Sequence, residues 1–363
     1  MPPRVDFVGA FRSSCAEYPM DEKDRLLLTY LHQGLSFVSR PFEVLAQKTQ
    51  LDSAGVMVRI QKLKQEGILT GIKAVWNPRA FGYQSAWVAM KFDPAELAGH
   101  SEIVHQHPGV IYSCEREHEL NFWFFIAVPG DHDLETHLRC IEKFAAPKRT
   151  LFLPVRRVFK GTDLLNVTDP GMFPGMGEHF EKRKTVRAPE LSAPEIELVR
   201  ALQEKFPVAD DPFRDIAVRM NVSEGQVLEL TASLVRRGCL RRIGSFFNPA
   251  AVFGKPKHLV VWHISEEKLD RGGAGIAEFQ EIVYADRRPS YPGFPYSLYT
   301  MIEATDATEL EVIVRRIEDR IGKWPSEALV TAREFKKNRM KYFPKELDVW
   351  WEQSRHVAET AFH

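Results

Sequence analysis

The chain has 363 residues, room for two to three domains at roughly 150 residues each. Hydrophobic residues make up 44% and charged residues 27%, a balance that excludes disordered and fibrous classes and permits a sizeable core without disulfides. Lys plus Arg number 49 and Asp plus Glu number 49, so no global positive field argues for nucleic acid, although a local basic patch stays open.

From the N-terminus, Asp21 is a plausible helix cap, and Leu26, Leu27, Tyr30 and Leu31 follow at helical spacing. Phe42, Leu45 and Ala46 mark a second short helix. Asp52-Ser53 begins a third, with Val56, Ile60 and Leu63 on one face and Gly67 as its stop. An extended arm then runs to Asn77-Pro78. Three short helices and an arm predict a winged helix-turn-helix unit. Next come a strand at 85–92, a helix at 94–107, strands at 109–115 and 120–128, a helix at 131–144 and a last strand at 151–160. This is the βαββαβ order of a ferredoxin-like domain.

The same text then repeats. GILTGIKAVWNPRAFG from Gly67 is matched by GCLRRIGSFFNPAAVFG from Gly238, and Pro41-Phe42 by Pro212-Phe213, at an offset of 171. Further on, Arg157-Val-Phe-Lys160 matches Arg333-Glu-Phe-Lys336 at an offset of 176; four of the five extra residues fall around Tyr291. In the second copy Ser192 and Glu195 form a capping-box pattern, and Ser223 starts the third helix. The predicted class is therefore α+β with an internal duplication. Each half is a winged helix-turn-helix domain (1–82 and 191–254) followed by a ferredoxin-like domain (83–161 and 255–343), and the halves form a pseudo-dimer. A Gly- and Pro-rich linker spans 162–190, and a helix containing Trp350, Trp351 and Phe362 closes the chain at 344–363.

The longest apolar runs, 122–128 and 259–262, fall far short of the roughly 20 residues of a membrane span. Residues 1–11 lack a basic start followed by an apolar block, and the expected location is the cytoplasm. Cys15, Cys114, Cys140 and Cys239 are scattered, which predicts reduced thiols and no zinc site. His100, His105 and His107 sit at a helix end without an apparent acidic or Cys companion and are not expected to bind metal.

A helix-turn-helix followed by βαββαβ resembles the Lrp/AsnC regulators over nearly the whole chain, twice. HELNFW (His118 to Trp123), RRPSYPGFPYSLYTMI (Arg287 to Ile302) and TAREFKKNRMKYF (Thr331 to Phe343) resemble more narrowly the siroheme decarboxylases, which reuse that architecture and pair two homologous subunits, sometimes fused. The resemblance implies removal of carboxylate from two acetate side chains of siroheme, on the way to heme d1 or heme b. It implies no organic cofactor, since the substrate carries its own iron, and no membrane. A homodimer of the fused chain stays open.

The residues support this reading in part. The second recognition helix offers Glu224 and Glu229 where DNA would lie, and its basic pair Arg236-Arg237 falls at the far end, so specific DNA binding is not expected. The first keeps Arg59, Lys62 and Lys64. A polycarboxylate ligand needs Arg and Lys, and the candidates are Arg116, Arg157, Lys160, Arg287, Arg288, Arg333, Lys336 and Lys337. Decarboxylation also needs an apolar wall and a proton donor, for which His118 and Tyr291 are the candidates, with Arg116 beside His118. Arg116 and His118 share a face if their segment is extended, as do Asn121 and Trp123, both candidate substrate contacts. His263, placed in the first strand of the second βαββαβ unit, is a weaker one. His118 is equally a candidate ligand of the substrate iron. The histidine occurs in one copy and the Tyr-Pro loop in the other, so any two sites are not equivalent. The rival readings are a regulator of Lrp/AsnC type binding DNA and a small effector, and a heme-binding protein without catalysis.

Overall fold

The computed structural model of the chain describes residues 20–161, 190–247 and 255–359. Cys15, Asn248-Pro249, Phe362 and nearly all of the predicted linker lie outside the described residues.

The first helix-turn-helix unit comprises α1 (Glu22–Gln33), α2 (Pro41–Thr49) and α3 (Ser53–Gln65). Asp21 and Asp24 cap α1 reciprocally, and Asp52 caps α3 through the Gly55 N–H. The arm follows as β1 (Leu69–Trp76). The first ferredoxin-like unit runs β2 (Gln84–Lys91), α4 (Leu97–His105), β3 (Val110–Arg116), β4 (Phe122–Val128), α5 (Leu134–Ala145), β5 (Arg149–Leu153), with β6 (Arg157–Lys160) after it. The second half repeats the plan: α6 (Ala193–Gln203), α7 (Pro212–Met220), α8 (Glu224–Arg236), β7 (Leu240–Phe247), β8 (Lys257–Trp262), α9 (Glu266–Ala277), β9 (Ile282–Arg287), β10 (Leu298–Glu303), α10 (Ala307–Ile321), β11 (Ser326–Ala328) and β12 (Thr331–Lys337). The chain closes with α11 (Lys345–Glu359). Capping boxes open α6 and α8, at Ser192/Glu195 and Ser223/Gln226.

The two arms do not fold back on their own halves. β1 pairs antiparallel with β7, so one ribbon joins the two helix-turn-helix units. The sheets also exchange strands, in the orders β12-β3-β4-β2-β5 and β11-β8-β10-β9-β6. This corrects the single last strand expected at 151–160. Pro154 supplies no N–H to a ladder and interrupts it; β5 stays in its own sheet and β6 crosses to β9 of the other. β12 reciprocates on β3. Each exchanged strand covers an edge that would otherwise expose unpaired backbone groups.

β4 is buried along its whole length, and its alternation explains why. Phe122, Phe124, Ile126 and Val128 pack against α4 and α5, whereas Trp123, Phe125 and Ala127 enter a second core shared with the other half. In the second half Val260 and Trp262 face the helices, and Leu259 and Val261 face the shared core. The sheets thus meet face to face, as at the contact of Arg288 with the Trp87 ring, 5.8 Å away across the halves. Among the described residues no helix is long and apolar enough to cross a membrane.

Candidate active site

The turn between β3 and β4 (117–121) and the longer loop between β9 and β10 (288–297) meet where the sheets face each other. The extra residues of the second loop form a tight hairpin: Tyr291 and Phe294 exchange backbone hydrogen bonds at 2.9 Å, with Gly293 at φ +72° in the left-handed region that a side chain disfavours. The Tyr291 hydroxyl donates to the Phe152 carbonyl at 2.5 Å, across the halves. Burial raises the Tyr291 phenol above its usual pKa. Arg149 ties the loops together, donating to the Pro292 carbonyl and, at 3.4 Å, to Glu119, which also takes the Lys91 ammonium at 2.9 Å. Its hydrogen bond from Lys91, and then the charge of that ammonium, hold the Glu119 carboxyl below its usual range.

His118 sits on the first loop with 13% of its side chain exposed. Its Nδ1 accepts the Leu120 N–H at 2.9 Å, so the neutral ring carries its proton on Nε2. Nε2 lies 3.9 Å from Glu327 Oε1 of β11, in the other half. Phe294 packs edge-on against the ring at 5.5 Å and approaches Trp123 at 6.0 Å, forming an apolar wall. Arg116 is buried beside them. Its Nη1 donates to the Leu329 carbonyl at 2.6 Å and to Thr331 Oγ1 at 2.7 Å, both from the other half, and its Nε has no hydrogen-bond partner.

The chain bends at 117–120, so Arg116 and His118 do not share the face of an extended segment as expected. Asn121 clamps backbone: its amide accepts the Phe92 N–H at 3.0 Å and donates to the Phe92 carbonyl at 3.2 Å. Trp123 is fully buried and donates to the Leu120 carbonyl at 2.8 Å. Arg288 is 3% exposed and forks onto Asp286 through three contacts of 2.9–3.2 Å. It occupies the second-half position of Arg116, at an offset of 172.

The remaining cations are not gathered at this junction. Arg157 pairs with Asp270 at 2.7 Å and the Lys160 ammonium caps the Phe279 carbonyl at 2.6 Å, both on the edge strand β6 of the second sheet, and Arg287 pairs with Glu266 at the end of the neighbouring β9. Arg333 pairs with Glu115 at 3.4 Å and Lys337 with Glu334 at 3.6 Å, while Lys336 donates to the His105 carbonyl at 3.1 Å, all on β12 at the edge of the first sheet. His263 is exposed just past the end of β8 rather than within it. Reading sequence order alone, Arg149, Lys91, Glu119, Tyr296 and Glu327 were missed. Tyr296 and Phe294 stand in the segment around Tyr291, whereas Glu327 carries no local signal.

The histidine cluster is corrected as well. His100 lies 3.5 Å from Glu96 and His105 3.8 Å from Glu102, so acidic companions exist. His107 instead heads a buried chain: its Nδ1 accepts the Gly109 N–H, its Nε2 donates to His137 Nδ1 at 2.8 Å, and His137 Nε2 donates to His132 Nδ1 at 3.1 Å. Trp350 and Trp351 of α11 lie over these rings at 4.1–5.4 Å. No group of His, Cys, Asp and Glu suited to a metal ion occurs among the described residues. A recess of about 790 Å³ lies near this chain, between Pro129–His132, Arg200 and Phe343, and holds none of the predicted site residues.

The fold and this junction define a class. Both halves match the model of an AsnC-like ligand binding domain, at residues 80–160 and 254–336. Residues 24–69 and 195–241 match the helix-turn-helix domain of siroheme decarboxylases of the NirDL kind. A siroheme decarboxylase of Hydrogenobacter thermophilus is 30% identical over 90% of this chain and 97% of its own length. The siroheme decarboxylase NirDL subunit of Paracoccus denitrificans is 26% identical over 87% of this chain and 96% of its own. The solved structure of a siroheme decarboxylase NirDL in complex with an iron-uroporphyrin III analogue superposes with a TM-score of 0.75, at 27% identity, over 94% of this chain and all of the other. The chain belongs to the siroheme decarboxylase family.

Proposed function

We propose that this protein is a carbon–carbon lyase that removes the carboxylates of two acetate side chains of siroheme, giving 12,18-didecarboxysiroheme for heme d1 or heme b synthesis. The observation that supports it most directly is the family match along both halves, with the histidine of one half set against the tyrosine hairpin of the other. Each step breaks the bond between the side-chain methylene and its carboxylate. Carbon dioxide leaves, the electron pair passes to the protonated pyrrole, and a proton ends on the new methyl group. Protonation of the ring supplies the electron sink, so this reading invokes no organic cofactor.

The junction offers what such a step needs. Phe294 and Trp123, both fully buried, form the apolar backing of His118, and a carboxylate drawn to that ring is poorly solvated, which favours its departure. Arg149 and Lys91, partly exposed and paired with Glu119, can re-pair with other carboxylates of the substrate, while Arg116 stays buried behind them. His118 Nε2–H is the proton-bearing edge. Proton donation needs the imidazolium and ligation of the substrate iron through Nε2 needs the other tautomer; each gives up the Leu120 bond, and the absorbance and turnover of a His118 variant distinguish the two roles. The test is anaerobic incubation of the purified protein with siroheme, followed by product mass, with His118→Ala beside it. Two successive losses of carbon dioxide are expected. His118→Ala should retain most porphyrin affinity and lose turnover by roughly 10²-fold or more. Tight siroheme binding without mass change would leave a heme-binding protein instead.

A further inference from the structure

At the position equivalent to His118, at an offset of 172, the second half carries Ser290. What the second half brings to the histidine is a carboxylate. Glu327 stands on β11, where its backbone is registered against Val261. One of its oxygens accepts the Tyr296 hydroxyl at 2.6 Å, and the other lies 3.9 Å from His118 Nε2. Burial and then Glu327 push the Tyr296 phenol up to about 12, so it stays a hydrogen-bond donor at neutral pH. The Tyr296 ring packs edge-on against Phe294 at 5.0 Å, and the same Phe294 packs against His118. The hairpin that closes at Tyr291 and Phe294 therefore sets both the ring and its acidic neighbour.

Rotation of His118 is constrained from two sides. Leu120 N–H holds Nδ1. Glu327 faces Nε2, while the nearby Glu119 is tied to Lys91 and Arg149. A contact of 3.9 Å is electrostatic rather than a formed hydrogen bond, and a small shift of either side chain would close it. We propose that Glu327, anchored by Tyr296, is a positioning residue that keeps the Nε2–H edge of His118 directed across the junction. One half supplies the ring and the other aims it. The catalytic consequence rests on the decarboxylase reading; the geometric claim does not.

The test uses the full-length protein and the variants Glu327→Gln and Tyr296→Phe. Two readouts are needed. The first is ¹⁵N NMR of histidine-labelled protein without substrate, with His118 assigned from His118→Ala. Wild type should show a single Nε2–H tautomer, and Glu327→Gln a mixture of tautomers or exchange-broadened signals. Tyr296→Phe should move the same signals less. The second is single-turnover siroheme decarboxylation, where Glu327→Gln should lower the rate about 10- to 100-fold, the scale of a misplaced catalytic group, with KM within about 3-fold. Glu327→Asp should show an intermediate rate. Unchanged His118 signals in Glu327→Gln overturn the proposal. Changed signals with a native rate overturn its catalytic part. If wild type fails to decarboxylate siroheme, the decarboxylase reading falls, and the NMR comparison alone decides the positioning.

Discussion

Replacing Arg288 by Met strands a charge. Arg288 and Asp286 have side-chain exposures of 2% and 0%, and three contacts of 2.9–3.2 Å join them. At that separation and an effective dielectric of about 20, their attraction is about 5 kcal/mol. It offsets a dehydration penalty of several kcal/mol for each ion. Without Arg288 the carboxylate's penalty stands uncompensated, and the expected loss is about 3–5 kcal/mol at neutral pH. Its pH dependence has a definite sign. Burial already pushes the Asp286 carboxyl up, against the pull of Arg288, and removing Arg288 raises it further. A folded pKa above the unfolded value of about 3.9 means that the folded state holds more protons. Stability then falls as pH rises from about 4, by up to about 1.4 kcal/mol per pH unit, until the folded pKa is passed. Urea unfolding of wild type, Arg288→Met and the double variant Asp286→Leu/Arg288→Met at pH 4.5, 6 and 7.5 measures this. The single variant's deficit should be smallest at pH 4.5, and the double variant should recover much of it at pH 7.5. A deficit below about 1 kcal/mol at pH 7.5, or one that does not change with pH, refutes the reasoning. Native stability with weakened porphyrin binding would return Arg288 to the role of a substrate contact.

Gly273 of α9 lies against Phe159 of the exchanged β6, and an added Cβ would come 2.5 Å from that ring. Gly273→Ala should therefore loosen β6, costing about 1–3 kcal/mol, and raise hydrogen exchange at 157–160; unchanged protection there would sink the account of the exchanged strand. Burial lowers the basicity of His107 and His137, the latter to about 3. The unfolded chain takes these protons below about pH 6.5, so the stability of this chain is present above that pH and is lost as pH falls toward 3. Protection of 345–355, corrected for intrinsic exchange, should drop between pH 7.5 and 5. Equal protection at the two values would contradict the reading. Duplex DNA should bind only weakly, without a preferred site. Arg59 of α3 is engaged by Asp21 and Asp24 at 2.7 and 2.6 Å, and Arg237 beyond α8 by Glu195 at 2.6 Å. Site-selective nanomolar binding at physiological salt would overturn this.

The sequence by itself determined the elements and their order. Capping residues, the helical spacing of Leu27, Leu31, Val56 and Ile60, and the unbroken apolar run at 122–128 are local signals. Each acts within a turn or a strand, so each is legible without coordinates. The duplication was legible too, because two copies of one text must fold alike. His118 and the Tyr291 loop were visible as motifs for the same reason. Only the tertiary structure decided what these elements do to each other. The crossing of β6 and β12 depends on which edge is unpaired once both sheets exist, and backbone pairing leaves no periodic mark on the strand that supplies it. The charges show this most plainly. Arg288 and Arg116 stand at equivalent positions, yet Asp286 claims one guanidinium while Cys114, its counterpart, leaves the other to Leu329 and Thr331. A row of cations such as Arg157, Lys160, Arg333 and Lys336 looks like a carboxylate-binding strand until each finds its partner from another element. Glu327 shows the converse: an unremarkable residue on a three-residue strand gains its meaning from a histidine 209 positions earlier, because charge acts through space and not along the chain.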